Sequence, residues 1–145
     1  MPEKIAIGCD HAGFELKEIL KAHLEEQDIT VIDVGTHSAE SVDYPEFAHD
    51  LAKTLGDGKA LFGILICGTA NGIAMSANKH SHIRAAIVWF EQIAKMARLH
   101  NNANVICLPA RVIAPALAIS CVDTFLTTDF EGGRHSRRVG KISSC

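Results

Sequence analysis

The chain has 145 residues and a mass of 15.6 kDa, which suits one domain that buries roughly two-thirds of its unfolded surface. Hydrophobic residues make up 48% and charged residues 21%, a balance that excludes a disordered or fibrous chain. Lys and Arg number 14 against 17 Asp and Glu, so the formal charge is −3. This charge argues against a duplex nucleic-acid binder and against broad attraction to an anionic membrane. Any anion binding must therefore come from a local cluster.

Short apolar runs alternate with longer amphipathic stretches along the chain. The runs rich in Ile, Val and Leu predict five strands, over residues 4–9, 30–33, 61–67, 85–88 and 105–108. The stretches between and after them predict helices over residues 14–26, 45–55, 73–78, 90–100 and 114–125. This alternation predicts one α/β domain over residues 1–145, a three-layer doubly wound Rossmann/flavodoxin-like domain with a five-stranded parallel sheet. In such folds ligands bind at the carboxyl ends of the strands.

Neither the apolar segments nor the cysteines indicate an exported or membrane-bound protein. The longest mostly apolar stretch, residues 112–122, is too short to cross a bilayer, and the start of the chain does not resemble a signal peptide. The five cysteines are odd in number and match no metal-binding spacing. We therefore expect a soluble cytoplasmic protein in which Cys9, Cys107 and Cys121 are buried free thiols.

The first predicted strand is followed by an adjacent Asp10–His11 pair. Asp10 is a favoured N-cap and Gly13 eases the turn, which is a purely structural explanation for both. His11 has no such explanation, and an Asp–His pair at a strand end can bind sugar hydroxyls or move protons. Tyr44, at the start of the second predicted helix, is a further candidate to offer a hydroxyl to a ligand.

The third predicted strand leads into the small-residue loop ICGTANG at residues 66–72. Successive backbone N–H groups in such a loop can hold a phosphate or an oxyanion, although an ordinary tight turn has the same composition. The loop is neither a Walker A motif nor G-x-G-x-x-G. Cys67 lies beside these N–H groups, which favour its thiolate, so it is a candidate nucleophile or base.

Histidines and asparagines follow the fourth predicted helix. His100, Asn101 and Asn102 have the composition of an ordinary helix end, but a His with neighbouring amides can also orient a sugar. His80 and His82 lack a supporting Cys or carboxylate pattern, so we assign them to the surface and predict no metal site.

Basic residues are concentrated late in this acidic chain. Arg111 follows the fifth predicted strand, and the segment EGGRHSRR at residues 131–138 adds Arg134, His135, Arg137 and Arg138. A solvated terminal tail explains this cluster, and so does a phosphate clamp, because the planar Arg guanidinium matches phosphate oxygens. The preceding Gly132–Gly133 pair would let the segment fold back onto a site or onto a neighbouring subunit.

Six segments, taken in order, resemble one family over nearly the whole chain. They are GCDHAGFELK near the start, DYP at 43–45, GILICGTANGIAMSANK at 63–79, RLHNNANV at 98–105, ARV at 110–112 and FEGGRHSRRV at 130–139. The family is ribose-5-phosphate isomerase type B, which is grouped with the galactose-6-phosphate isomerase subunits. The resemblance implies the interconversion of ribose 5-phosphate and ribulose 5-phosphate in the pentose phosphate pathway, with no metal or organic cofactor. It also implies a homodimer, or a tetramer, whose sites are shared between subunits.

The resemblance also implies a role for each matching residue. Cys67 matches the general base of one family branch, and Ile73 stands where the other branch has its Glu base. His100 matches the ring-opening acid, Asp10 or Thr69 would assist the hydroxyl proton, and the reaction passes through a cis-enediolate. The matching substrate contacts are Asp10, His11, Gly68, Thr69, Ala70, Asn71, Gly72 and Asn101, and Arg111, Arg134 and Arg138 match positions near the phosphate.

The chain departs from the family at two places, and other functions remain open. Ala70 stands where the family usually has Gly, which matters if that position needs a positive φ, and the chain ends soon after Arg138. Within the family, a six-carbon sugar phosphate such as allose 6-phosphate is the alternative substrate. A Cys–His hydrolase or transferase would use Cys67 as a nucleophile instead. A non-enzymatic phosphate- or nucleotide-sensing domain would bind its ligand without turnover.

Overall fold

A computed structural model describes residues 1–145 and contains five strands and six helices. The strands are β1 (Lys4–Cys9), β2 (Thr30–Gly35), β3 (Phe62–Cys67), β4 (Ala85–Ile87) and β5 (Val105–Pro109). The helices are α1 (Phe14–Glu25), α2 (Tyr44–Gly56), α3 (Asn71–Ala77), α4 (Glu91–Leu99), α5 (Pro115–Thr127) and α6 (Arg134–Gly140). A short 3₁₀ turn, His11–Gly13, joins β1 to α1.

The strand and helix predictions are confirmed for the five strands and the first five helices, with bounds that differ by one or two residues at most ends. The sixth helix is absent from the sequence-based prediction, in which residues 131–138 are either a basic tail or a phosphate clamp. Its residues are mostly exposed and charged, so no apolar period marks them. His135 is the one buried residue of α6.

All strand pairs are parallel, and the sheet order is β2-β1-β3-β5-β4. The predicted parallel sheet is confirmed, with β4 and β5 exchanged relative to the flavodoxin order. The chain moves outward from β1 to β2 and then returns to the other side of β1 with β3. The carboxyl ends of β1 and β3 therefore form the switch point where such folds bind ligands.

Two apolar layers cover the sheet. One contains residues of α1, α4 and α5, and the other contains residues of α2 and α3, which gives the predicted three-layer arrangement. Cys9, Cys107 and Cys121 are buried free thiols, as predicted. Burial raises the pKa of Cys9 to about 12 despite the opposing charge of Lys17, and raises that of Cys121 to about 11. No helix combines the length and the apolar character that a membrane crossing requires.

Candidate active site

The turn after β1 brings Asp10 against β3. The Asp10 N–H donates to the Ile66 carbonyl at 3.2 Å, and the Asp10 carboxylate accepts the Ala12 N–H at 3.0 Å. The predicted cap is therefore present, at the start of the 3₁₀ turn. Gly13 lies so close to β3 that an added Cβ would sit 2.7 Å from the Ile66 Cγ2 atom. Asp10, only 7% exposed, is held firmly at the carboxyl edge of the sheet.

The loop after β3 presents unused hydrogen-bond donors. The backbone N–H groups of five neighbouring residues donate to no acceptor within the protein, namely Gly68, Thr69, Ala70, Gly72 and Ile73. Ala70 has φ 67° and ψ −11°, a left-handed conformation that turns the chain into α3. The position of residue 70 therefore does need a positive φ, and Ala occupies it. We call residues 68–73 the N–H cradle.

Cys67 is the last residue of β3 and directly precedes the N–H cradle. Its carbonyl accepts the Ala110 N–H at 2.9 Å, which ties it to the end of β5. The side chain packs in the layer formed with α2 and α3 and is 5% exposed within one chain. The thiol therefore lies in a largely water-free position next to donors that can stabilise a developing negative charge.

Tyr44 and Arg111 border the N–H cradle on two sides. An added Cβ at Gly72 would lie 2.4 Å from the Tyr44 Cζ atom, so the ring packs directly on that glycine. An added Cβ at Gly68 would lie 3.0 Å from the Arg111 Nη1 atom, and the Arg111 N–H donates to the Gly68 carbonyl at 3.0 Å. Arg111 thus places a cation at the carboxyl edge, where an anionic substrate group can reach it.

His11 orders the segment that leads into α2. Its Nδ1 atom accepts the Val42 N–H at 3.1 Å, so the neutral ring carries its proton on Nε2. The Val42 contact explains why a His follows Asp10, which the capping interpretation left open. The ring is half-buried, and its Nε2 remains free to meet a ligand.

A fully buried lysine supports this edge from behind, and the sequence analysis did not identify it. The Lys17 Nζ atom donates to both Asp33 carboxylate oxygens at 2.8 Å and to the Thr36 carbonyl. The Thr36 N–H in turn donates to the Cys9 carbonyl at 2.7 Å. Burial alone would raise the pKa of Asp33, but hydrogen bonds from Lys17 and Lys21 hold it below its usual range. The position of Lys17 beside Leu16 and Leu20, on the apolar face of α1, was the available signal.

His100 and Asn101 lie at the opposite, amino edge of the sheet. They follow α4 and precede β5, and the neighbouring Asn104 carbonyl accepts the Gly63 N–H at 2.9 Å, near the start of β3. Cys67 ends the same strand, and six residues of β3 span roughly 16 Å from edge to edge. One chain alone therefore does not bring Cys67 and His100 together.

A buried arginine holds the turn that carries His100. The Arg98 guanidinium donates to the Asn102 side chain at 2.9 Å, to the Ala103 carbonyl at 2.6 Å and to the Thr128 carbonyl at 3.1 Å. Asn102 has φ 47°, a left-handed conformation that ends the helix as the sequence predicts. Asn101 is exposed, and this rigid turn presents it to solvent together with His100.

Helix α6 packs against the same turn. The His135 ring stacks on the His100 ring with centroids 4.4 Å apart and an interplanar angle of 16°. The Glu131 carboxylate lies 3.8 Å from the His100 Nε2 atom. Burial lowers the pKa of His135, and the neighbouring His100 and Arg134 lower it further. Arg134 and Arg138 are exposed on α6 and form a cationic surface at the amino edge.

The candidate residues therefore form two groups at opposite edges of the sheet. The group at the carboxyl edge contains Asp10, His11, Cys67, Gly68, Thr69, Ala70, Asn71, Gly72 and Arg111. The group at the amino edge contains His100, Asn101, Arg134 and Arg138. Neither group is complete for the predicted chemistry. Outside both, His82 is exposed as predicted, and His80 is half-buried against α2, where it shares a 2.7 Å hydrogen bond with His49.

The fold and the residues at the carboxyl edge of the sheet together define a class of protein. A doubly wound α/β domain with a buried thiol beside a row of free N–H groups suits a reaction that develops negative charge on a substrate oxygen. The cations of both groups suit a phosphorylated substrate.

Comparison with known proteins identifies the family. The family model described as Ribose/Galactose Isomerase matches residues 5–142. Ribose-5-phosphate isomerase B of Escherichia coli is 45% identical over 142 residues, which cover 98% of this chain and 95% of that protein. This chain therefore belongs to the ribose/galactose isomerase family and is an aldose–ketose isomerase.

Solved structures agree with this assignment. Ribose 5-phosphate isomerase of Thermotoga maritima superposes with a TM-score of 0.97 at 51% identity, covering 98% of both chains. The Mycoplasma genitalium enzyme, solved with bound ribulose 5-phosphate, superposes with a TM-score of 0.92 at 43% identity, covering 97% of this chain and 94% of that one. The resemblance inferred from the six sequence segments is thus confirmed.

Proposed function

We propose that this chain interconverts ribose 5-phosphate and ribulose 5-phosphate through a cis-enediolate, with Cys67 as the general base and His100 as the ring-opening acid. The observation that carries the proposal is the row of unpaired N–H groups directly beside Cys67. The relatives support the substrate, since the Escherichia coli protein is a ribose-5-phosphate isomerase B and the Mycoplasma genitalium protein binds ribulose 5-phosphate.

Ring opening comes first. His100 donates a proton to the ring oxygen while Asp10 or Thr69 takes the proton of the C1 hydroxyl, and the C1 aldehyde forms. This step needs a proton donor on one side of the sugar and an acceptor on the other. General acid–base assistance of this kind typically contributes about 10²- to 10⁴-fold in rate.

Isomerisation follows at the N–H cradle. The Cys67 thiolate takes the C2 proton, the C2–H electron pair forms the C1=C2 bond, and the C1=O1 pair moves onto O1. The N–H groups stabilise this O1 anion, and one well-placed donor of this kind contributes about 3 kcal/mol. The thiol then returns its proton to C1, and the O2 proton moves to O1 as the C2 carbonyl forms.

The two groups of residues meet in a homodimer in this proposal. The carboxyl edge of one chain, with Cys67, Arg111 and the cradle, faces the amino edge of its partner, with the partner subunit's His100, Asn101, Arg134 and Arg138. The separation of the two groups within one chain supports this arrangement, because neither edge alone holds a base, an acid and a phosphate clamp. Phosphate binding, remote from C1 and C2, positions the reacting carbons.

The test is Cys67→Ala with ribose 5-phosphate deuterated at C2. We expect isomerisation and loss of the C2 deuterium to fall at least about 10²-fold, while calorimetry shows that substrate binding persists. Cys107→Ala is the matched control, because it also removes a buried thiol from the same layer of the core but is expected to keep exchange. Undiminished exchange in Cys67→Ala would refute the assignment of the base. A covalent acyl adduct on Cys67, seen by mass spectrometry, would instead indicate a hydrolase or transferase.

A further inference from the structure

The amino edge holds a cluster of three metal-ligating side chains, His100, Glu131 and His135. We propose that they bind a divalent transition-metal ion such as Zn²⁺, and that the bound ion inhibits the enzyme. The binding part stands on geometry alone. The inhibition part rests on the proposed function, because it requires His100 to act as the ring-opening acid.

The ligand atoms are already close to one another. The Glu131 Oε2 atom lies 3.8 Å from the His100 Nε2 atom, and the Glu131 Oε1 atom lies 3.9 Å from the His135 Nε2 atom. The three ligand atoms all lie within 4.8 Å of one another. Ligands around one Zn²⁺ ion sit about 2.0–2.2 Å from the metal and therefore roughly 3.3 Å apart. Side-chain adjustments of about 1 Å would close the site around an ion.

The backbone fixes these three residues in place. The Glu131 N–H donates to the Leu99 carbonyl at 3.1 Å, so Glu131 is attached to the end of α4 beside His100. Gly132 and Gly133, with φ 70° and 55°, then turn the chain into α6. This turn returns His135 to the same point, four residues after Glu131. The fold therefore brings the three residues together, and only their side chains must adjust to close around an ion.

An independent observation points to a missing partner. The His135 Nε2 atom is buried and has no hydrogen-bond partner, and the residue is only 6% exposed. Buried polar atoms are almost always paired, because an unpaired one loses its hydration without compensation. A metal ion coordinated by this nitrogen would supply the missing interaction.

Binding requires one ring to turn. The His100 and His135 rings are stacked at 4.4 Å with a 16° interplanar angle, so one ion cannot lie in both ring planes. His100 is the ring that can rotate, because its side chain is 39% exposed and makes no hydrogen bond. A bound ion therefore occupies the His100 Nε2 lone pair and removes the imidazole from proton transfer, which is the physical basis of the expected inhibition.

The donor set selects the type of ion. Two imidazole nitrogens and one carboxylate suit Zn²⁺, Co²⁺ or Ni²⁺, whereas Mg²⁺ and Ca²⁺ prefer oxygen ligands. Arg134 and Arg138 add positive charge on the same helix, so we expect weaker binding than at a site without them.

The binding test uses the full chain without substrate. Co²⁺ is titrated while its visible absorption is recorded, and Zn²⁺ is titrated by calorimetry. We expect one ion per chain, affinity at least about tenfold weaker in Glu131→Gln, and no competition from Mg²⁺. His80→Gln and Cys145→Ser are matched controls for the His49–His80 pair and for the exposed thiol, and both should bind like the wild type. Absence of binding at millimolar Co²⁺, or equal affinity in Glu131→Gln, overturns the site.

The activity test separates this proposal from the proposed function. Zn²⁺ should inhibit ribose 5-phosphate isomerisation, EDTA should reverse the inhibition, and the inhibition constant should weaken in Glu131→Gln in parallel with binding. Each variant is compared with its own uninhibited rate. Binding without inhibition keeps the ion site but overturns its inhibitory role. A chain without isomerase activity overturns the proposed function and leaves the binding result standing.

Discussion

Gly13 shows how one atom positions the candidate active site. Its backbone passes over β3 so closely that an added Cβ would meet the Ile66 Cγ2, Cβ and carbonyl oxygen atoms at 2.7, 2.8 and 2.9 Å. A strand in the middle of the sheet cannot move away, in contrast to the end of a flexible side chain. The turn that carries Asp10 and His11 therefore depends on the absence of a side chain at this position.

We predict that Gly13→Ala lowers the free energy of unfolding by about 1–3 kcal/mol, the usual cost of overpacking a tight contact. Urea denaturation measures this change. Gly140→Ala is the matched control, because an added Cβ there meets nothing within 4 Å and should change stability by less than about 0.5 kcal/mol. Equal effects of the two substitutions would contradict the close approach to β3.

Individual residues differ in how far their structural roles can be predicted from sequence. Asp10 was predicted as a cap from its position after a strand, and the structure contains that cap. The left-handed conformation of Ala70 could be stated only as a condition, because Ala itself does not indicate a positive φ. The unpaired N–H groups of the cradle were anticipated from small residues after a strand, but which of them are free depends on tertiary contacts.

Helix α1 and strand β2 are joined by a buried ion pair. Lys17 is buried on the otherwise apolar face of α1 and forms an ion pair with Asp33 of β2, whose side chain is 12% exposed. The same lysine holds the Thr36 carbonyl, and so it connects α1, β2 and the end of β1. Removing one partner of such a pair leaves the other charge buried and uncompensated.

We predict that Asp33→Asn costs about 3 kcal/mol of unfolding free energy at neutral pH. Because the pKa of Asp33 is lower in the folded protein than its ordinary value of 3.8, its contribution is complete above that value. The contribution is lost as the pH falls through the lower folded pKa. Denaturation across pH 2–7 should therefore show wild type and variant converging only in acid. Asp57→Asn, in the exposed pair with Lys53, is the matched control and should leave stability nearly unchanged, because solvent screens an exposed ion pair. A gap that is constant across the pH range would contradict the pKa shift.

The elements differ in how well sequence predicts them. Strands β1, β3 and β5 are nearly continuous apolar runs, so their burial on both faces was readable. Helix α6 is written as RHSRRVG, in which a single buried imidazole replaces the usual apolar stripe. That imidazole stacks on His100, a contact between distant segments that local patterns do not encode.

Within one chain, the two groups of functional candidates occupy opposite edges of the sheet. The order of elements already contained this information, because a residue between a helix and the next strand lies at the amino edge, as His100 does. The family resemblance grouped His100 with Cys67 by role, not by position. Which edge meets which in an assembly is not contained in the fold of one chain.

We predict that Cys67→Ala and His100→Ala complement each other when they are coexpressed. Each variant alone should be inactive, but random pairing gives half mixed dimers, each with one intact site, and so about a quarter of wild-type activity. Separately purified variants assayed without subunit exchange serve as the control. Failure to regain activity in confirmed mixed dimers would contradict the shared site.

The position of helix α6 offers a way to inhibit the proposed dimer. It lies a full strand length from Cys67 in the same chain, yet in the proposed dimer it borders the reacting sugar. An antibody fragment or peptide that coats α6 would stop turnover without approaching the thiol of the molecule it binds. Dilution would act in the same way, since a separated chain holds only one of the two groups of residues that make up the proposed site.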